Sequence, residues 1–178
     1  MTICSRRRRN ELTQASPFFM RFKLAAIVLV SLCSAPFISA DEPDARELDQ
    51  RFARSTLQIA TPDARLHTFK VWVAENDVQR ARGLMFVRQL ADDEGMLFLY
   101  PQEHVIGMWM KNTYIPLDML FVSADGRVAH IAENATPHSL ATIESKKPVA
   151  AVIELKAGSA ARLKIRPGAR VAHPAFEQ

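Results

Sequence analysis

The chain has 178 residues, of which 48% are hydrophobic and 24% charged, a globular composition that fits one ordinary domain plus an extension. Its formal charge of +4 is concentrated at one end, because six of the 23 basic residues but only one of the 19 acidic residues, Glu11, precede Asp41. The remainder of the chain, from Asp41 on, is close to neutral, which argues against a phosphate-binding face and so against nucleic acid as a partner.

From Met20 the sequence reads MRFKLAAIVLVSLCSAPFISA: a basic start at Arg21 and Lys23, an apolar run from Leu24 to Leu32, then Pro36 and small residues ending at Ala40. This is the anatomy of a secretory signal peptide. The run is much shorter than the roughly 20 residues that a spanning helix needs. The expectation is therefore a leader over 1–40 cleaved after Ala40, with no stable membrane span and a soluble periplasmic or extracellular product. Arg6 to Arg9 resemble a twin-arginine signal only weakly, since Glu11 and the long gap to the apolar run break the pattern, and Met20 reads as the true start. Cys4 and Cys33 both lie in this leader, so the mature chain is cysteine-free and disulfides, thiolate catalysis and zinc–cysteine sites are excluded. Leu32 directly before Cys33 argues against lipidation.

Residues 41–54 are charged, carry Pro43 and lack a sustained apolar period; they read as a tether or a short helix at most. The single domain is expected over 55–174. TLQIA (56–60) and LHTFKVWVA (66–74) are rich in β-formers and flank Thr61-Pro62-Asp63, which predicts a hairpin. In its second strand His67, Phe69, Val71 and Val73 make a better core face than Leu66, Thr68, Lys70 and Trp72. Asn76 with Gln79 predicts a capping box opening a short helix, with Val78, Ala81 and Met85 on one side and Gly83 at its end. Further strands are expected at 96–100, 105–111, 115–122 and 127–134, the last two joined by an Asp125-Gly126 turn. AAVIELK (150–156) is another strand, followed by a short helical AARL and a final strand ARVAHP. About eight short strands with one or two short helices predict a mainly β domain, a sandwich or small barrel, without long βαβ alternation.

The segments ARGLMFVRQLADDEGMLFLY, WMKNTYIPLDMLFV followed by DGRV, and VIELKAGSA resemble, in order and spacing, the small domains of the family named domain of unknown function 192. The matching positions are Arg82, Gly83, Leu84, Met85, Gly95, Met96, Phe98, Trp109, Met110, Lys111, Asn112, Thr113, Pro116, Leu117, Asp118, Gly126, Glu154 and Gly158. The resemblance implies a compact β-rich fold of jelly-roll type and implies no reaction.

Within the apolar run GMWMKNTYIPLDMLF, Lys111, Asn112 and Asp118 must be solvated, paired or used. If Asn112 to Ile115 form a four-residue loop between two paired strands, Lys111 and Asp118 share a face beside Trp109; a three-residue loop sends them to opposite faces. The bland account is an ion pair with Asn112 and Thr113 serving turn hydrogen bonds. Glu154, a second acid in an apolar strand, either faces solvent or requires a cationic partner such as Lys111 or Arg82. The candidate ligand-binding residues are thus Trp109, Lys111, Asn112, Asp118, Glu154 and Arg82. The five methionines after the leader (Met85, Met96, Met108, Met110 and Met119) read as core filler rather than Cu(I) ligands, since no Met-x-x-Met or His-rich tract accompanies them. The histidines are scattered without metal-ligand spacing, and neither a G-x-S-x-G motif nor a phosphate loop is present. No catalytic residue, metal or cofactor is assigned. The expected function is binding of a small polar ligand or an envelope partner protein by an exported domain. The alternatives are an acid/base, hydrolase-like enzyme using Asp118 and Glu154, and a structural envelope module.

Overall fold

The computed structural model describes residues 43–176; the leader, with Cys4, Cys33 and the expected cleavage site, lies outside the described residues. The architecture is mainly β, as the composition of its segments predicts. The strands are β1 (Ala53–Ala60), β2 (Leu66–Ala74), β3 (Glu94–His104), β4 (Gly107–Met108), β5 (Leu117–Val122), β6 (Val128–Ala135), β7 (Ile143–Glu144), β8 (Val149–Lys156) and β9 (Arg170–Ala172). Seven of them form one sheet in the order β6-β5-β8-β3-β2-β1-β9, while β4 and β7 pair separately. The large sheet curls until its two edges meet at one end. Arg127 bridges to Arg170, the Val128 amide donates to the Ala169 carbonyl at 2.9 Å, and the Val171 amide donates to the Gly126 carbonyl at 2.7 Å. The result is a small, partly closed barrel, and such edge pairing removes exposed strand edges.

Both faces of the central strands are covered. Leu57, Phe69, Val71, Leu120, Ile153 and Leu155 fill the concave interior, whereas Trp72, Met96, Phe98, Met119, Phe121 and Val152 pack outward under a second layer. Burial on both sides explains why β5 and β8 read as almost continuous apolar runs. The β1–β2 hairpin forms as expected, and Phe69, Val71 and Val73 do face the barrel core. Trp72 on the opposite face is buried too, in the outer layer.

The second layer begins with α1 (Pro43–Arg51), in the stretch read as a tether or a short helix at most. Leu48 and Phe52, four residues apart, are buried against the sheet; the Asp49 carboxylate accepts from Trp72 Nε1 at 2.8 Å, and the Arg54 guanidinium lies 3.7 Å above the Trp72 ring. Two anchors on one helical face are too few to read as an apolar period, but they suffice once a sheet lies beneath them. Next, α2 (Asp77–Arg82) has the predicted capping box, with Gly83 in a positive-φ conformation at its end. Val78, expected on its buried side, is 81% exposed. The helix carries the chain across to β3, which runs parallel to β2, a short crossover that the sequence did not disclose.

The expected strand over 105–111 is a correction as well. Only Gly107–Met108 is extended there, and it pairs with β7 rather than with the 115–122 strand. Asn112 adopts φ 55°, the Met110 amide donates to the Ser139 carbonyl, and the Phe86 amide donates to the Asn112 carbonyl, so the chain turns away from β5 before a hairpin can form.

Asp118 is fully buried in β5 on the concave face, and no cation pairs with it among the described residues. Its Oδ1 accepts from the Asn134 amide at 2.9 Å and its Oδ2 from the Ala160 amide at 2.9 Å. The first bond satisfies a backbone amide where the β5–β6 register slips between Leu117 and Met119. The second caps α3 (Ser159–Leu163), whose own N-cap is Gly158 and has no side chain to offer. Replacing Asp118 by Ala leaves two amides without an acceptor and should destabilise the domain by about 3 kcal/mol, while Asn, which keeps one acceptor oxygen, should cost less. Urea unfolding of the two variants checks this; equal stability of Asp118→Ala and wild type contradicts it.

Candidate functional site

The register of β8 decides what can meet. Asp118 lies opposite Leu155 and Met119 opposite Glu154, and successive side chains alternate across a sheet. Asp118 therefore faces the barrel interior and Glu154 the outer layer. The two carboxyls sit on opposite sides of one sheet, and the arrangement cannot act as a catalytic pair. Lys111 meets neither of them. It is exposed in the turn after β4, with Nζ 5.7 Å from the Trp109 ring centroid. The cluster of Lys111, Asp118 and Glu154 anticipated from the sequence does not form, because the hairpin that would have assembled it is absent.

Glu154 instead forms part of a cavity of about 190 Å³ between the outer face of the sheet and the second layer. Within the sheet its neighbours are Met96 on β3 and Met119 on β5. The cavity is walled by Phe98 and Tyr100 from β3, by the segment 80–85 at the end of α2, and by Met108, Trp109 and Thr113. Glu154 is only 4% exposed, and among the described residues no hydrogen bond or ion pair reaches its carboxyl. Burial without a counter-charge pushes its pKa from the ordinary 4.5 up to about 8, so at neutral pH the acid is mostly protonated.

The walls are fixed by bonds that do not involve Glu154. Arg80 donates to the Leu99 carbonyl at 2.6 Å and to the Asp77 carboxylate at 2.5 Å, with its guanidinium 5.1 Å from the Tyr100 ring. Arg82 donates to the Gly83 and Met85 carbonyls and, at 2.9 Å, to Glu47 of α1, which ties the first helix to the cavity wall. The Tyr100 hydroxyl donates to the Met108 sulfur at 3.7 Å, and burial, partly opposed by Arg80, pushes its pKa up to about 12. Asn112 donates to the Met85 sulfur at 3.9 Å. Gly83 is required here on two counts: its φ of 45° is one that side chains avoid, and a Cβ would stand 3.1 Å from the Phe98 ring. Trp109, 53% exposed, stands at the mouth.

Of the six candidates from the sequence, Arg82, Trp109 and Glu154 line this cavity, Asn112 supports its wall, Lys111 lies outside it on the Trp109 ring, and Asp118 is a structural acceptor elsewhere. Tyr100, Phe98, Met85, Met108 and Arg80 were not anticipated as site residues. Alternation along β3 does place Met96, Phe98 and Tyr100 on one face, but only the β3–β8 register reveals that Glu154 shares it. Among the described residues no group of acidic, histidine or cysteine side chains is arranged to hold a metal ion.

The sequence matches the model of a family described as uncharacterized ACR, domain of unknown function 192, over residues 58–173. The chain belongs to the domain of unknown function 192 family. The resemblance carried by the segments around Arg82, Trp109 to Asp118 and Glu154 is thereby borne out. Among solved structures, a Sinorhizobium meliloti protein described as a candidate transcription regulator is 46% identical, with a TM-score of 0.69 over 70% of this chain and 96% of the other. A protein of unknown function from Novosphingobium aromaticivorans is 38% identical, with a TM-score of 0.65 over 67% of this chain and 85% of the other. No relative among curated proteins matches this chain. In this member of the family, Glu154, Gly83, Met85, Phe98 and Trp109, all within the matched residues, converge on one cavity.

The unpartnered acid makes stability depend on pH. A carboxyl whose folded pKa exceeds its unfolded value stabilises the fold while protonated, so its contribution is complete below about 4.5 and is lost as pH rises through about 8. Wild type should therefore lose stability against Glu154→Gln across this window, by an amount on the order of a few kcal/mol, with no further relative change above it. Unfolding of both proteins in urea from pH 5 to 9 measures the difference; a pH-independent gap would show that Glu154 is solvated or paired.

Proposed function

We propose that this domain binds a small polar ligand in the cavity over Glu154, and that it does so as an exported, non-catalytic module. The observation that carries this reading is a buried carboxyl without a partner, aimed into a cavity whose other walls are already held by their own bonds. A buried polar group without a hydrogen bond costs roughly 1–3 kcal/mol, a cost that a ligand would relieve. The volume of about 190 Å³ lies below the ~300–1,000 Å³ of pockets that take drug-sized molecules, so the buried part of the ligand is small. The half-exposed Trp109 at the mouth supplies a flat apolar surface for the remainder.

The acid/base alternative loses its second carboxyl to the far side of the sheet. The regulatory role ascribed to the Sinorhizobium meliloti protein has no evident basis here. Residues beyond Asp41 are nearly neutral, and among the described residues the helices are short and separated by strands, with no pair suited to a DNA groove. Among the described residues no helix is long and apolar enough to cross a membrane. Export rests on the leader pattern alone. Mass spectrometry of the protein made in a secreting bacterial host should give an N-terminus at Asp41; retention of the intact leader would favour an anchored form.

Ligand binding is tested by thermal-shift screening of small polar metabolites, followed by Trp fluorescence. Ligands that raise the Tm should change the emission of Trp109, with Trp72 buried and insulated, and should lose their effect in Glu154→Gln and Trp109→Ala. Stabilisation that survives both substitutions would place the ligand elsewhere and overturn this reading.

A further inference from the structure

The side chains lining the cavity restrict what its buried end can accept. Tyr100 already donates to Met108, Thr113 to the Lys111 carbonyl at 3.4 Å, and Arg80 and Arg82 to backbone carbonyls and carboxylates. None of these donors reaches Glu154. The ligand must supply the hydrogen-bonding partner, and the nearby surfaces are sulfur and aromatic carbon from Met85, Met108, Phe98, Tyr100 and Trp109. Arg80 pairs with the exposed Asp77 at 2.5 Å and Arg82 with the half-exposed Glu47 at 2.9 Å, and burial rather than either arginine governs Glu154, so they do not impose an anionic ligand.

We propose that the cavity takes the primary ammonium group of a small amine, with the Glu154 carboxylate as counter-charge and hydrogen-bond acceptor. The proposal rests on the ligand-binding reading and narrows it to a chemical class. A hydroxyl group can share hydrogen bonds with the neutral acid, whereas only a cation holds Glu154 as the carboxylate, and an ammonium brings both the charge and several N–H donors. Of the lining rings, Tyr100 and Trp109 already meet Arg80 and Lys111, which leaves the Phe98 ring for a bound cation, and the small volume suits an unbranched amine head. Binding converts the neutral acid to a carboxylate: the proton leaves Glu154 for solvent, and the ion pair takes its place.

This gives a pH signature of definite sign. Besides Glu154, the titratable groups lining the cavity are Tyr100 from β3 and Arg80 and Arg82 from α2; His104 touches the Tyr100 ring at 5.3 Å, and Lys111 stands outside on Trp109. Tyr100, pushed up to about 12, stays neutral throughout the useful range. Affinity for an alkylammonium, itself cationic up to about pH 10, should therefore rise by up to about tenfold per pH unit until Glu154 is ionised near pH 8, and then level off.

The experiment is an NMR titration of the full protein carrying carbon-13 methyl-labelled methionine, at pH values from 6 to 9, with ethylammonium, ethanol and acetamide as probes. Met85 and Met108 report on the cavity wall, Met96 and Met119 on the neighbours of Glu154. The expected result is saturable shifts of these methyls with ethylammonium, weaker by at least tenfold with ethanol, strengthening with pH, and weakened at least tenfold in Glu154→Gln, whose unperturbed Met110 signal shows that the fold is intact. Acetamide binding that weakens as pH rises, with ethylammonium excluded, would overturn the amine assignment while leaving the cavity a ligand site. If none of the probes moves the wall methyls at any pH, both the amine assignment and the ligand-binding reading fail.

Discussion

Everything about the candidate site depends on the burial of β8 on both faces. A strand with one wet face could send Glu154 into water, and the acid would be an ordinary surface residue. Here the second layer, made by α1, by Leu84, Val87 and Leu90 after α2 and by the segment around the β4–β7 pair, covers the outer face of the curled sheet, so every β8 side chain from Val152 to Leu155 is buried. The strand alternation then fixes the rest. Ile153 and Leu155 enter the barrel, while Val152 and Glu154 enter the outer layer, where a carboxyl among methionines has no partner among the described residues.

Two buried acids thus have opposite roles for the same physical reason, the need of a buried polar group for a hydrogen bond. Asp118 satisfies two backbone amides, one where the β5–β6 register slips and one at a helix whose N-cap is glycine, and so holds the end of the barrel together. Glu154 satisfies nothing in the protein. Stability alone gives no reason for such a residue, because Met or Gln would occupy the position at lower cost, and groups left unpaired in a cleft are the ones whose pKa values are tuned to bind or react. The support around the cavity is correspondingly rigid: Arg80 and Arg82 lock the loop after α2 to β3 and to α1, and Gly83 lets that loop approach Phe98.

How much of the molecule was legible in the sequence depends on the range over which each signal acts. The β1–β2 hairpin, the capping box at Asn76, the turn at Asp125-Gly126 and the strand over 149–156 are local patterns and are where they were expected. The family signature likewise identified the domain and several cavity residues. The misreadings involve long-range pairing. The apolar run through Trp109 reads as a strand, yet its chain direction is set by bonds to Ser139 and Phe86, far away in sequence. Helix α1, the short helix that the sequence allowed as an alternative to a tether, is held by Trp72 and Arg82 rather than by its own period. The partners of Asp118, and the lack of any for Glu154, are consequences of sheet register and could not be read from spacing.

The most direct test of this account is the ionisation of Glu154 itself, followed by the carbon-13 chemical shift of its side-chain carboxyl as a function of pH and assigned by comparison with Glu154→Gln. A buried acid without a partner predicts a titration midpoint near 8 in the unliganded protein. A midpoint near the ordinary 4.5 would mean that water or an unrecognised cation already satisfies the carboxyl, and the cavity would lose its claim to be a ligand site.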